Sequence, residues 1–388
     1  MRRVVIVLSL IVLLISTLQA VEPSFGRADS LIDAAVASHT IPGAVLCVVK
    51  GDRVVYNKAY GYRRVHPYRE EMTVETIFDL ASVSKVVGTG MTAMALVDMG
   101  LLDLDARVSY YLPDYEGEAT VRDLMTHVSG LPAYATWTVL LKDHPDASPS
   151  ERKEILREYV CHCKRLNAPR EKYRYSCLNF ITLQYVMEEI TGMRLDKLAR
   201  KLVFKPLGMK ETGYRPVENG KWKMENVAPT EIQADSVCLW GVVHDPLARE
   251  MNGGVSGNAG VFSTGEDLAK LAVWMFGELE SQRVNESTSP FSRETLEMML
   301  RVPEGYERFG RTLSWGVWEE FLEDGVESGL SLKSVYHTGY TGTFMVVDPE
   351  QKIAVILLAH RVHPYDRGSL YKLRCEVVEA VVSAVLRN

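Results

Sequence analysis

Apolar residues alternate in period-two runs near both ends of this chain and recur at helical spacing through its middle. That pattern predicts a mixed α/β (α+β) fold, in which an antiparallel sheet flanked by helices is interrupted by a mostly helical inserted domain. Tight turn signals between neighbouring β-rich runs favour antiparallel over parallel pairing, because parallel neighbours need long crossovers.

The elements follow in order. Phe25 to Ser38 places Leu31, Ile32, Ala35 and Val36 at helical spacing. Gly43 to Val49 and Arg53 to Tyr60 are β-rich runs around Lys50-Gly51-Asp52, which reads as a hairpin. Ser82 to Met99 is an apolar helix ended by Gly100, and Gly88 and Gly90 within it suit a close approach by another element. Thr120-Val121-Arg122-Asp123 resembles a capping box, with Gly130 as the stop of its helix. Glu151 to Lys164 and Asn179 to Thr191 read as helices, the second closed by Gly192. Thr264-Gly265-Glu266-Asp267 starts another, running to about Phe276. β patterning returns at Ser314 to Glu319, Ser334 to Thr338, Phe344 to Val347 and Ile353 to Ala359, with a turn at Asp348-Pro349-Glu350. Leu370 to Leu386 is a closing amphipathic helix. The sheet part is expected over about 21–105 and 255–388 and the helical insertion over about 106–254, leaving a cleft between them.

Met1-Arg2-Arg3 followed by the apolar run Val4 to Leu18, with small residues up to Ala20, reads as a signal peptide or N-terminal anchor over 1–20. Export to a periplasmic or extracellular setting follows. Release after Ala20 and a membrane tether through an uncleaved segment both stay open. The 388 residues, 47% hydrophobic and 24% charged, suffice for a full core. A net charge of −6 offers no basic field for nucleic acid. Six cysteines permit disulfides without specifying any. Cys161-His162-Cys163 spaces its thiols more tightly than zinc sites do, so neither a metal nor another cofactor is expected.

The chemistry starts at Ser82-Val83-Ser84-Lys85. Positions i and i+3 share a helix face, so the Lys85 amine can lie beside the Ser82 hydroxyl. Serine is a weak nucleophile until a base takes its proton, and an amine held neutral by its surroundings can do so. A four-residue pattern fixed at two positions recurs by chance in a chain this long, so its companions decide its meaning. Arg174-Tyr175-Ser176-Cys177 opens a helix and offers a phenol. Tyr336-His337-Thr338-Gly339-Tyr340 lies on or just after a strand. The glycine-rich run Asn252 to Gly260 lacks the Lys-Ser/Thr ending of a phosphate cradle and reads as tight turns near the cleft.

With these segments in this order, and with Asp123-Leu124-Met125-Thr126-His127-Val128-Ser129-Gly130-Leu131-Pro132 and Lys205-Pro206-Leu207-Gly208-Met209 in support, the chain resembles the serine β-lactamase and penicillin-binding-protein superfamily. Within it, the likeness is to class C β-lactamase-like esterases and related serine hydrolases, from about Phe25 to the C-terminal helix. The resemblance implies a β-lactamase/transpeptidase-like fold and an acyl-enzyme on Ser82, with Lys85 and Tyr175 sharing the proton transfers. It also implies an oxyanion hole from the N–H groups of Ser82 and Tyr340, beside His337, Thr338 and Gly339.

Two positions depart from the family pattern. Cys177 stands where Tyr-x-Asn has its amide, and Asn179 replaces it only if the turn redirects that side chain. His337 stands where many relatives carry Lys, which weakens the claim on an anionic substrate and predicts activity that changes through the range of histidine titration. Both favour an esterase-like hydrolase of a small ester or amide. The alternatives are a D-amino-acid peptidase or carboxypeptidase, or weak β-lactamase, acting on cell-wall-like substrates, and a non-catalytic penicillin-binding sensor. His127 and His244 read as structural residues, and His363 as one that could reach the cleft rim.

Overall fold

The computed structural model describes residues 24–215, 222–281, 289–323, 326–366 and 368–387. The expected leader or anchor at 1–20 lies outside them. Among the described residues ten strands are present: β1 (Gly43–Lys50), β2 (Arg53–Arg64), β3 (Glu70–Glu71), β4 (Phe78–Asp79), β5 (Gly213–Tyr214), β6 (Val261–Ser263), β7 (Gly316–Val317), β8 (Val335–Thr338), β9 (Phe344–Asp348) and β10 (Ile353–Ala359). Seven form one antiparallel sheet in the order β3-β2-β1-β10-β9-β8-β7, and β4-β6-β5 form a small second one.

The first and last segments meet at the centre of the large sheet. β1 pairs with β10 in the register Ala44↔Ala359, Cys47↔Ile356 and Lys50↔Ile353. Alternate side chains leave opposite faces of a strand. Val45, Cys47, Ile356 and Leu358 therefore join the core shared with the helical half, while Ala44, Leu46, Val355 and Leu357 join a second core. The helices Gly26–Ala37 and Tyr371–Leu386 cover that second face. With both faces covered, the central strands read as nearly continuous apolar runs although the pairing is antiparallel. This is the arrangement the sequence predicts, an antiparallel sheet flanked by helices.

Several boundaries differ from the sequence expectation. Ser82 to Met99 is not one regular helix: a 3₁₀ turn at Ala81–Val83 leads into a wide, π-type stretch at Lys85–Gly90 and only then into the α-helix Met91–Asp98. The two glycines sit where neighbours press in, since a Cβ on Gly88 would lie 2.8 Å from Tyr214 Oη and one on Gly90 2.5 Å from Ser314 Oγ. Thr120 does form a capping box with Asp123, but its helix stops at Met125, before Gly130, because His127 turns the backbone to φ +61°. β7 is only two residues long, as the chain after Trp318 winds into a 3₁₀ turn at Glu319–Phe321. All six cysteines are free, and Cys163 Sγ accepts from Arg165 at 3.0 Å. Among the described residues no group of three or more His, Cys, Asp or Glu is placed to hold a metal ion.

Candidate active site

Ser82 sits on the turn after β4. The Asp79 carboxylate accepts from Ala81 N–H at 2.9 Å, Ala81 takes φ +45°, and Ser84 Oγ accepts from Val261 N–H at 3.0 Å. These contacts fix the start of the helix, and the i, i+3 spacing places Lys85 Nζ 3.0 Å from Ser82 Oγ. Lys85 is fully buried, and its ammonium also donates to the Asn258 carbonyl at 2.8 Å and lies 3.6 Å from Cys177 Sγ. That carbonyl comes from the glycine-rich loop. Thr89 Oγ1 donates to Gly257 O at 2.7 Å, and a Cβ on Gly257 would lie 1.9 Å from Phe180 O, so any other residue would push the loop off the helix Cys177–Thr191. Lys85 is thus oriented by a main-chain oxygen that no side-chain motif announces.

Tyr175 lies just ahead of that helix, and its hydroxyl interacts with both Ser82 and Lys85. Its ring packs 4.5 Å from the buried imidazole of His127, which is a wall of the site on a turn and not a helical residue. His127 Nδ1 accepts from Ser176 N–H at 3.1 Å and faces Asn179 Nδ2 at 3.2 Å. Asn179 is buried there with Oδ1 accepting from Ser129, so the turn does not redirect it towards Ser82. The Asn258 side chain, not Asn179, lies against Cys177.

The third side is β8 and the turn after it. Thr341 Oγ1 donates to Asp79 O and Thr343 Oγ1 to Leu80 O, both at 2.8 Å, which clamps this turn onto the segment carrying Ser82. Gly339 N–H donates to Thr343 O at 2.7 Å, while Tyr340 N–H donates to no carbonyl among the described residues. Ser82, Tyr175, Thr338, Gly339 and Tyr340 line one cleft of ≈ 540 Å³ together with Arg361 and Arg374. His337 is buried beneath it, with Nδ1 2.9 Å from Thr338 O and Nε2 without a partner among the described residues. A carbonyl only accepts, so Nδ1 carries the proton. His244 stacks on Tyr340 at 5.7 Å at the rim. His363 does not reach the rim; it is buried against His360 and bonded to Val65 N–H and Thr230 O.

Charge settles which groups carry protons. Burial acts against the Lys85 ammonium, but its coupling to the Cys177 and Tyr175 side chains, a hydrogen bond with Tyr175 and the more distant Asp245 act the other way and raise its pKa overall. The raised pKa favours the ammonium form, whereas the sequence reading has the amine held neutral. Burial raises Tyr175 and Cys177 too, despite the opposing pull of Lys85. Burial, followed by the charges of Arg311 and Lys85, holds His127 and His337 well below the usual imidazole value, so both are neutral at pH 7.

A seryl oxygen beside a buried lysine and a phenol, facing a clamped turn with an idle N–H, is the outline of a known group of proteins. The beta-lactamase family pattern matches residues 28–377. The chain belongs to the beta-lactamase family. A Salmonella gallinarum protein provisionally named as a D-alanyl-D-alanine carboxypeptidase is 30% identical over 358 residues, 83% of this chain and 79% of that one. An N-acetylmuramyl-L-alanine amidase of Bacillus subtilis is 29% identical over 373 residues, 87% and 81% of the two chains. Among solved structures, EstCE1, a hydrolase with promiscuous acyltransferase activity, superposes with TM-score 0.69 at 22% identity, covering 92% of this chain and 97% of its own. This member of the beta-lactamase family is a serine hydrolase.

Proposed function

We propose that Ser82 is the nucleophile and that the enzyme hydrolyses small esters or amides, esters foremost, through an acyl-enzyme. The observation that carries this reading is the 3.0 Å contact of Lys85 Nζ with Ser82 Oγ in a buried site that Tyr175 shares. Because Lys85 rests as an ammonium, the Lys85–Tyr175 pair must first lose a proton and then accept the one on Ser82. As Ser82 Oγ bonds to the substrate carbonyl, that proton passes through the pair to the leaving group, and water later attacks the acyl-enzyme. Ser82 N–H and Tyr340 N–H receive the oxyanion, a role in which each donor contributes about 3 kcal/mol.

A neutral His337 offers no fixed positive charge, and Cys177 no amide, which supports a neutral ester over an anionic β-lactam. The second reading, a D-amino-acid peptidase or amidase acting on cell-wall-like material, draws on the names of the two relatives and on the exported setting suggested by the apolar N-terminal stretch.

The test is to treat the protein with a serine-reactive phosphonate, locate the adduct by mass spectrometry, and measure turnover of short-chain esters and D-Ala-D-Ala peptides by the native protein and by Ser82→Ala. A Ser82 adduct with Ser82-dependent ester turnover is expected. Turnover restricted to the peptides selects the second reading. No adduct at Ser82 together with unchanged turnover in Ser82→Ala refutes the proposed nucleophile, and penicillin labelling without turnover of any substrate would make the chain a binder.

A further inference from the structure

The helix Tyr371–Leu386 reads in the sequence as a closing amphipathic helix, yet it sends one arginine inward. Arg374 is 8% exposed, and its Nη2 donates to two main-chain oxygens, Gly339 O and Thr343 O, each at 3.2 Å. Among the described residues its Nε has no hydrogen-bond partner. Among the described residues no carboxylate pairs with it; the neighbouring charge acting on it most strongly is Arg361, of the same sign. Burying a cation costs several kcal/mol unless something nearby compensates, so a guanidinium held against two carbonyls without a counter-ion calls for an account. Helix-to-sheet packing does not supply one, because an apolar side chain would pack there without that cost.

The two carbonyls identify what the charge faces. Gly339 C=O and Tyr340 N–H belong to one planar peptide, and in the trans form the two bonds point in opposite directions. A guanidinium on the oxygen therefore lies behind the N–H, with the peptide dipole between them. Hydrogen bonding to a cation polarises the amide and makes its N–H a stronger donor, more so where the surroundings are dry. Gly342 N–H holds the same oxygen from a second direction at 3.1 Å, and Thr343 O, the other acceptor of Arg374, is the atom that receives Gly339 N–H. Both ends of the Gly339 residue are thus tied to one side chain.

We propose that Arg374 is a positioning residue for the reaction: it fixes the Gly339–Tyr340 peptide and, from behind, strengthens Tyr340 N–H for the oxyanion. The inference rests on the acyl-enzyme reading of Ser82. It differs from direct recognition of a substrate anion by Arg374, which would act on charged substrates alone.

The test compares Arg374→Gln, which keeps hydrogen-bond donors without charge, and Arg374→Lys, which keeps charge without the fork. Three quantities are read: the single-turnover acylation rate with a neutral p-nitrophenyl ester and with a carboxylate-bearing one, the affinity for a boronic acid that forms a tetrahedral adduct, and the thermal midpoint. In Arg374→Gln, acylation is expected to fall about tenfold, part of the loss known for a deleted oxyanion donor. The fall should be equal for both esters, with boronate affinity dropping in proportion, KM unchanged, and Arg374→Lys recovering part of the loss. Unchanged acylation and boronate affinity in folded Arg374→Gln overturn the proposal, and so does a loss confined to the anionic ester. If Arg374→Gln does not fold, Arg374→Lys decides by the same criteria: a smaller, proportionate fall in both quantities supports the role, and no fall overturns it. Ser82→Ala, run alongside, separates the two claims. Turnover abolished there with Arg374→Gln unaffected removes the role of Arg374 alone, whereas turnover that survives in Ser82→Ala removes both.

Discussion

Gly339→Ala perturbs the turn after β8 by one methyl group, and its effect can be worked from the contacts. The new Cβ would lie 2.0 Å from Thr343 Oγ1 and 2.5 Å from Leu80 O. The hydroxyl can rotate away, but only by giving up its 2.8 Å bond to Leu80 O, leaving buried polar atoms unpaired at about 1–3 kcal/mol. The Leu80 carbonyl is main chain next to the segment carrying Ser82 and cannot rotate, so the turn must retreat by about 1 Å to reach ordinary contact. Tyr340 N–H moves with it. A donor displaced that far from the oxyanion loses most of about 3 kcal/mol, which is on the order of a hundredfold in rate. We therefore expect kcat for a short-chain ester to fall about a hundredfold in steady-state assays, KM to change little, and the thermal midpoint to drop by several degrees. A folded Gly339→Ala variant with kcat within threefold of the parent would show that the turn does not hold the oxyanion donor.

Three further outcomes follow from the same structure. Gly277, in the helix Gly265–Glu280, has no described residue within 4 Å of an added Cβ, so Gly277→Ala should stabilise the protein by about 0.5–1 kcal/mol in urea titration; destabilisation would contradict that placement. Burial holds His127 and His337 well below 6.5 and His360 down to about 3, so the unfolded chain takes up protons at pH values where the fold does not. The stability from these groups is complete above 6.5 and is lost as pH falls, at about 1.4 kcal/mol per unit for each; His360 alone costs on the order of 3 kcal/mol by about pH 4.5, and an unfolding free energy that is flat between about pH 6.5 and 4.5 would refute this. Because the Lys85 pKa is raised, the competent, deprotonated pair becomes more abundant as pH increases, so kcat/KM should climb from neutral into the alkaline range without the inflection near 6.5 that a titrating His337 would produce; a plateau across that range would refute the cationic resting state.

What the sequence makes legible is what repeats or what bears a side-chain motif. The central strands announce themselves because Val45, Leu46, Val355 and Ile356 must satisfy two cores at once, and β10 begins and ends where its apolar run does. Ser82, Lys85 and Tyr175 are readable because their chemistry lies in their side chains. Asn258 is not, since it works through its carbonyl, and any residue has one. Arg374 is hidden for another reason: on an amphipathic helix an arginine reads as a solvated residue, and only the packing shows it facing inward. The charge of Lys85 depends on Cys177, Tyr175 and Asp245, which only the fold brings together. Helix ends are hidden where the backbone turns at a residue without a helix-stop signature, as at His127.

The large sheet closes by pairing β1 with β10, segments some three hundred residues apart, and the site draws on Ser82, Tyr175, Asn258, Tyr340 and Arg374 in turn. On the proposed reading these groups act together only once the segments carrying them have met, and connections of such range form late because their loops must close first. Hydrolysis is thus a report of completed folding. A nascent or partly unfolded copy should be inert, so the appearance of ester turnover during refolding can time the last step of assembly.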